Sequence, residues 1–223
     1  MEKYGTIPKK FTKAWWEYVW EYYKFHIAAV LFAIFFVGSI VHTNLTRKYY
    51  DLYISYIGLG DFNEAIQAEF DNIIIPVAED TNEDEEVDST YYVYNVENPA
   101  DDELFTEYEY ASESKIIVEL QVGESFLYIL SKANGENMYE VSNCFEPISE
   151  FVKEHGDADV LISNEGYPFA VSLAGNEQLM AKGIDTSDMY IAVKKVYQNE
   201  KDDQRKLKVH KNSLNAAKQL LGE

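Results

Sequence analysis

IAAVLFAIFFVGSIVHT, residues 27–43, decides how the rest of the chain is read. The stretch holds seventeen residues and no Lys, Arg, Asp or Glu. At a helical rise of ~1.5 Å per residue it is about 25 Å long, near the lower end of what crosses a bilayer. Its two flanks differ. On the amino side lie Lys3, Lys9, Lys10, Lys13 and Lys24; on the carboxyl side Arg47 and Lys48 are followed by no base until Lys115. Basic residues close to a span resist translocation, which predicts a single-pass cell-membrane protein with a cytoplasmic N-terminus and an extracellular C-terminal domain. Residues 1–48 carry seven basic and three acidic side chains against a net charge of −20 for the whole chain, which leaves −24 for residues 49–223. A cleaved signal peptide shares the basic start and apolar core. The long, Trp- and Tyr-rich amino segment and the poor small-residue pairs after the core favour an uncleaved signal-anchor.

Residues 1–26 have their own pattern. Phe11, Trp15, Tyr18, Val19 and Tyr22 recur at helical spacing, and Lys13, Glu17, Glu21 and Lys24 share another side. Trp15, Trp16, Trp20, Tyr22 and Tyr23 predict a membrane anchor, because such rings sit half buried in the headgroup layer with the polar tip wet. The pattern reads as an amphipathic juxtamembrane helix that lies along the inner leaflet and bends into the span at 27–43. Its expected partners are the lipid bilayer and, on the aromatic side, a membrane protein.

After a linker at 44–50, residues 51–198 predict one acidic α/β domain with a largely parallel or mixed sheet, and residues 199–223 a C-terminal helix packed on it. The run 52–57 is apolar on both faces, as suits a strand between helix layers. Asp61 is a candidate N-cap for a helix with Phe62, Ala65, Ile66 and Phe70 on one face. Residues 91–96, 125–130, 160–163, 169–173 and 189–197 read as further strands. Pro99 and the acids at 101–103 open a helix with Leu104, Tyr108 and Ala111 on one face. Residues 115–122 fit either helix or strand, since Val118, Leu120 and Val122 alternate. Pro147 opens a helix with Ile148, Phe151, Val152 and His155 inward and Gly156 as its stop. Asn176 caps a short helix closed by Gly183. From Gln204 the tail is helical, with Leu207, Leu214, Ala217 and Leu221 on one side; its basic residues, Arg205, Lys206, Lys208, Lys211 and Lys218, are expected to dock on the acidic body. Alternation of strand and helix sets the α/β class.

Chemistry-bearing patterns are sparse. Residues 80–88 space oxygen ligands like the start of an EF-hand loop, but Glu85 stands where the turn needs Gly and Tyr91 where a bidentate Glu belongs. Between Asp51 and Ser114 there are nineteen acids and no base, which excludes a nucleic-acid surface there. The same charge leaves two readings open: solubility beside anionic envelope polymers, or capture of a cationic ligand or partner. The lone Cys144 gives no disulfide framework, and no zinc spacing is present. Asn44-Leu45-Thr46 matches a glycosylation sequon but lies close to the span. His26, His42, His155 and His210 fall in no nucleophile or metal spacing, and there is no Walker loop or GxGxxG. No catalysis, metal or cofactor is expected.

The second half carries a resemblance. Gly123-Glu124, the strand 126–130, Phe145-Glu146-Pro147-Ile148, Tyr167-Pro168-Phe169-Ala170-Val171, Gly183-Ile184-Asp185 and the strand 189–193 follow in an order that resembles the extracellular solute-binding proteins of bacterial ABC importers, the type 2 periplasmic-binding fold. Ala216, Ala217, Leu220 and Leu221 resemble that family's closing helix, so the likeness spans 115–221. The anchor region also resembles those of single-pass membrane proteins of Gram-positive, clostridium-like bacteria. Three features depart from the family: Pro168 precedes the apolar strand, no lipid-anchor cysteine follows the span, and there is room for one lobe only. The resemblance implies a small extracellular solute as ligand. Ligands of open α/β sheets sit beyond the carboxyl ends of the strands, which points to Tyr56, Gly58, Ser131, Ser163, Asn164 and Tyr167. The expected function is a membrane-anchored extracellular binding module, solute-binding-protein-like. The alternative is a structural or regulatory accessory subunit held through the N-terminal aromatic helix and span; an extracellular hydrolase has the least support.

Overall fold

A computed structural model describes residues 8–58, 60–96, 107–153 and 158–222, with side chains from 114 onward in the third stretch. The chain divides into two units, Met1–Tyr49 and Tyr50–Glu223.

The first unit is one helix, α1 (Lys13–Thr46), of 34 residues with none buried. Thr12 caps it, its hydroxyl accepting from Trp15 N at 3.3 Å. The expected juncture at residue 26 is not a helix end, because no proline interrupts 13–46 and the backbone ladder runs through the boundary. The helix also takes in 44–46, so the linker begins at Arg47. By length and composition α1 can cross a membrane, which is compatible with a single-pass protein.

The second unit is built on a six-stranded mixed sheet: β1 (Leu52–Gly58), β2 (Ser89–Asn95), β3 (Leu127–Leu130), β4 (Val160–Ile162), β5 (Pro168–Ser172) and β6 (Tyr190–Val193), in the order β2-β1-β3-β6-β5-β4. Strands β2, β1 and β3 are mutually parallel, while the β3/β6, β6/β5 and β5/β4 pairs are antiparallel. Alternation within each strand divides the core. Leu52, Ile54, Tyr56, Leu127, Ile129, Ile191 and Val193 face α2 (Glu64–Ile74) and α6 (Gln204–Leu220). Ile57, Tyr128, Leu130, Tyr190 and Ala192 face the other way, toward Ile116 and Leu120 of α3 (Glu107–Val122) and the turns after α4 (Lys132–Asn137). β1 is buried along its whole length because both layers cover it.

Several expectations are corrected. Asn63, not Asp61, caps α2, accepting from Ala65 N at 3.0 Å and Ile66 N at 3.2 Å. Residues 115–122 are helix: Ile116 and Leu120, four apart, reach the core, while Val118 and Val122 stay exposed. The helix expected after Pro147 is a single 3-10 turn, Ile148–Glu150, since Phe151 N and Val152 N both bond back to Ile148 O and one turn suffices to bury Ile148, Phe151 and Val152. His155 and Gly156, like the helix start at 99–104 and the side chains of Tyr108 and Ala111, lie outside the described residues. Asn176 caps α5 (Glu177–Met180) as expected, and Gly183 has a positive φ of 78°.

The C-terminal helix docks on the acidic body. Lys211 pairs with Glu79 at 2.6 Å, Arg205 with Glu124 at 3.2 Å and Lys208 with Glu83 at 3.8 Å. Its inner stripe is Val209, Asn212, Ser213, Ala216, Ala217 and Leu220, rotated from the leucine stripe expected. The difference comes from Asn212, fully buried, which accepts from Glu79 N at 2.9 Å and donates to Glu79 O at 2.8 Å and Asp51 O at 3.2 Å.

Candidate functional site

The chain leaves β1 for β2 on one side, through α2, and returns past β1 to β3 through α3. The carboxyl ends of β1 and β3 therefore flank the point where the winding changes direction, where open α/β sheets hold ligands. Gly58 and Ser131 sit at that point. Ser131 N bonds to Ile57 O at 2.9 Å, and its hydroxyl caps α4 by accepting from Asn134 N at 3.3 Å and also accepts from Asn134 Nδ2 at 2.8 Å. A Cβ at Gly58 would lie 2.9 Å from the Tyr56 hydroxyl and 3.4 Å from Ser131 Cβ. Glycine there lets the Tyr56 ring lie over the strand end.

Tyr56 stacks on Phe62 with centroids 4.4 Å apart and planes within 9°. This pair walls a cleft of about 480 Å³ between the start of α2 and the segment leading into β6. That volume falls within the usual range for small-ligand sites. Ile66, Ile184 and Met189 add apolar wall, and Asp61, Glu69, Asp185 and Asp188 form the rim. Among the described residues Lys182 is the one base lining the cleft, and it pairs with Glu69 at 3.0 Å, lowering the Glu69 carboxyl pKa. Ser187 holds Asp185, its N–H donating to Oδ1 at 3.0 Å, and lowers that carboxyl pKa. Asp188 Oδ1 accepts from Lys132 N at 2.9 Å. Burial, and then the charge of Asp188, raises the Tyr56 phenol pKa. After the Glu69–Lys182 pair is set aside, Asp61, Asp185 and Asp188 line the same cleft as the Tyr56–Phe62 pair, a lining suited to a cation with an apolar body.

Six residues were expected at this edge, and the structure brings together three of them, Tyr56, Gly58 and Ser131. Ser163, Asn164 and Tyr167 lie at the opposite end, because β4 runs antiparallel to β1 and its carboxyl end points away. There they close a turn: Ser163 N bonds to Tyr167 O at 2.8 Å, Asn164 N to Ser142 Oγ at 2.9 Å and the Tyr167 hydroxyl to Phe145 O at 3.1 Å. Asp61, Phe62, Asp185 and Asp188 were not expected in the cleft. Asp61 reads as a cap and Phe62 as core, and nothing local in the sequence ties 185–188 to β1.

The acidic loop turns in on itself. The Asp80 carboxylate accepts the N–H groups of Asn82, Glu83 and Glu85 at 3.1, 2.6 and 3.0 Å. Among the described residues no group of three His, Cys, Asp or Glu side chains is placed to hold a metal ion. On α1, Trp16, Trp20, Tyr22 and Tyr23 are exposed and Trp15 is half-buried.

No family model, curated protein or solved structure matches the chain, so its function is inferred from this geometry.

Proposed function

We propose that the chain is a membrane-anchored binding module, N-terminus cytoplasmic and second unit extracellular, whose cleft takes a small solute bearing a positive charge. The observation that carries this reading is that the stacked Tyr56–Phe62 pair lines one cleft with Asp61, Asp185 and Asp188 near the sheet's reversal point. It fits the solute-binding character implied by the resemblance, and it turns the acidic balance of 51–114 toward cation capture. Binding needs no catalytic group, and none is assigned. The test is a thermal-shift panel on the full chain in detergent micelles, with polyamines, guanidinium compounds and quaternary amines set against neutral sugars and carboxylates. A ligand at 100 times its Kd adds ~2.7 kcal/mol, a readily measured rise in melting temperature. Saturable shifts confined to cations are expected; shifts with anions, or with nothing, contradict the reading.

A second reading, an accessory subunit holding a membrane partner, draws on the exposed Trp16 and Trp20 of α1. It requires that replacing Trp15, Trp16 and Trp20 by Ala abolish partner association while the second unit stays folded.

A further inference from the structure

We propose that β2 pairs edge to edge with β2 of a second copy, joining two sheets into one across a two-fold axis. β2 is the outer strand at one end of the sheet and, among the described residues, pairs only with β1. Its sequence, Ser-Thr-Tyr-Tyr-Val-Tyr-Asn, contains no charge, proline or glycine, the devices that normally blunt an edge. This neutrality stands out in a stretch with nineteen acids between Asp51 and Ser114. The other edge, β4, is only three residues long and carries a register shift at Leu161/Ile162, a poor template.

The strand is complementary to itself. An axis normal to the sheet through Tyr92 sets Tyr92 against Tyr92 of the second copy, Tyr91 against Val93, Thr90 against Tyr94 and Ser89 against Asn95. Three of these four pairings are aromatic or β-branched, the combinations that stabilise antiparallel neighbours, and no like charges are opposed. Tyr92 and Val93 are 39 % and 38 % exposed, so both faces of the strand have surface left to cover. A rotation normal to the sheet keeps each copy's α3 on the same face. There Tyr94, Val118 and Glu119 line a groove of about 370 Å³. On the same helix Ile117, Val118 and Val122 are 51 %, 55 % and 70 % exposed, apolar surface in keeping with an isologous contact. Charge opposes the association, since both copies are strongly acidic, so the dimer should strengthen as salt rises.

The test uses the full chain in detergent micelles. Oxidation of Tyr92→Cys should give a disulfide-linked dimer, because the two-fold places the new thiols directly opposite, whereas Ile162→Cys on the other edge should not; the native Cys144 is buried. Tyr92→Lys, which opposes like charges at the axis, should weaken the dimer in sedimentation about tenfold or more. Equal cross-linking at 92 and 162, an undiminished dimer in Tyr92→Lys, or a wild type that stays monomeric and leaves the edge to some other extended segment would each overturn the proposal.

Discussion

At the residue scale, Asn212 and Gly58 show how single side chains set the frame of the site. Asn212 reads in the sequence as a polar position between leucines. Its amide instead replaces a missing piece of backbone pairing, clamping α6 to the start of β1 and to Glu79. Asn212→Ala leaves the Glu79 N–H and two carbonyls without that partner inside the fold, at a cost of about 1–3 kcal/mol per stranded group. Chemical denaturation should register a loss of that order, and a change within error would deny Asn212 this role. The place of Tyr56, Gly58 and Ser131 at this edge follows from their lying near or just past the carboxyl end of a strand in the parallel half, where chain direction is the expected one. The place of Ser163, Asn164 and Tyr167 was not legible in the sequence, because strand direction is a property of the sheet and leaves no mark on 160–163.

At the element scale, apolar runs located the six strands of the described residues. The segment 115–122 fits two periods and was left open, the surface it packs against selecting the helix; after Pro147 the described residues form a 3-10 turn, Ile148–Glu150, where a longer helix was expected. α1 was the most legible element, since seventeen uncharged residues need no tertiary partner to be recognised. If α1 is an uncleaved anchor, protein extracted from membranes should keep residues 27–43 by intact mass. A thiol placed by Met180→Cys, an exposed position on α5, should react in whole cells with a reagent that cannot cross the membrane. A product shortened near residues 39–46, or a thiol that reacts only after lysis, would refute the anchor or its orientation.

At the scale of the whole molecule, the second unit has tyrosines where most cores carry aliphatic residues. Burial pushes the phenols of Tyr53, Tyr94 and Tyr197 up to about 12, and those of Tyr91 and Tyr128 higher still. In the unfolded chain the same groups titrate near 10.0. The folded state thus holds protons that the unfolded state releases, so this stability is fully present below pH 10 and is lost as pH rises from 10 toward 12. Lys194, packed against Phe126 and donating to Gly123 O at 2.9 Å, has its ammonium pKa lowered by burial and acts in the opposite sense, but it is one group against several raised phenols. Denaturation midpoints should fall steeply above pH 10, with a delayed phenolate absorbance that appears together with unfolding; tyrosines that all titrate near 10 without loss of structure would contradict this. The proposal that the cleft binds a cation is tested most directly by calorimetric titration. The strongest cation from the thermal panel would be titrated into the full chain and into Asp188→Asn. Saturable one-to-one binding that weakens about tenfold in Asp188→Asn, with an unchanged melting temperature, is predicted for a partly shielded ion pair contributing ~1.4 kcal/mol. Equal affinity in the two proteins, or heats that never saturate, would mean that the cleft beside Tyr56 is not the binding site.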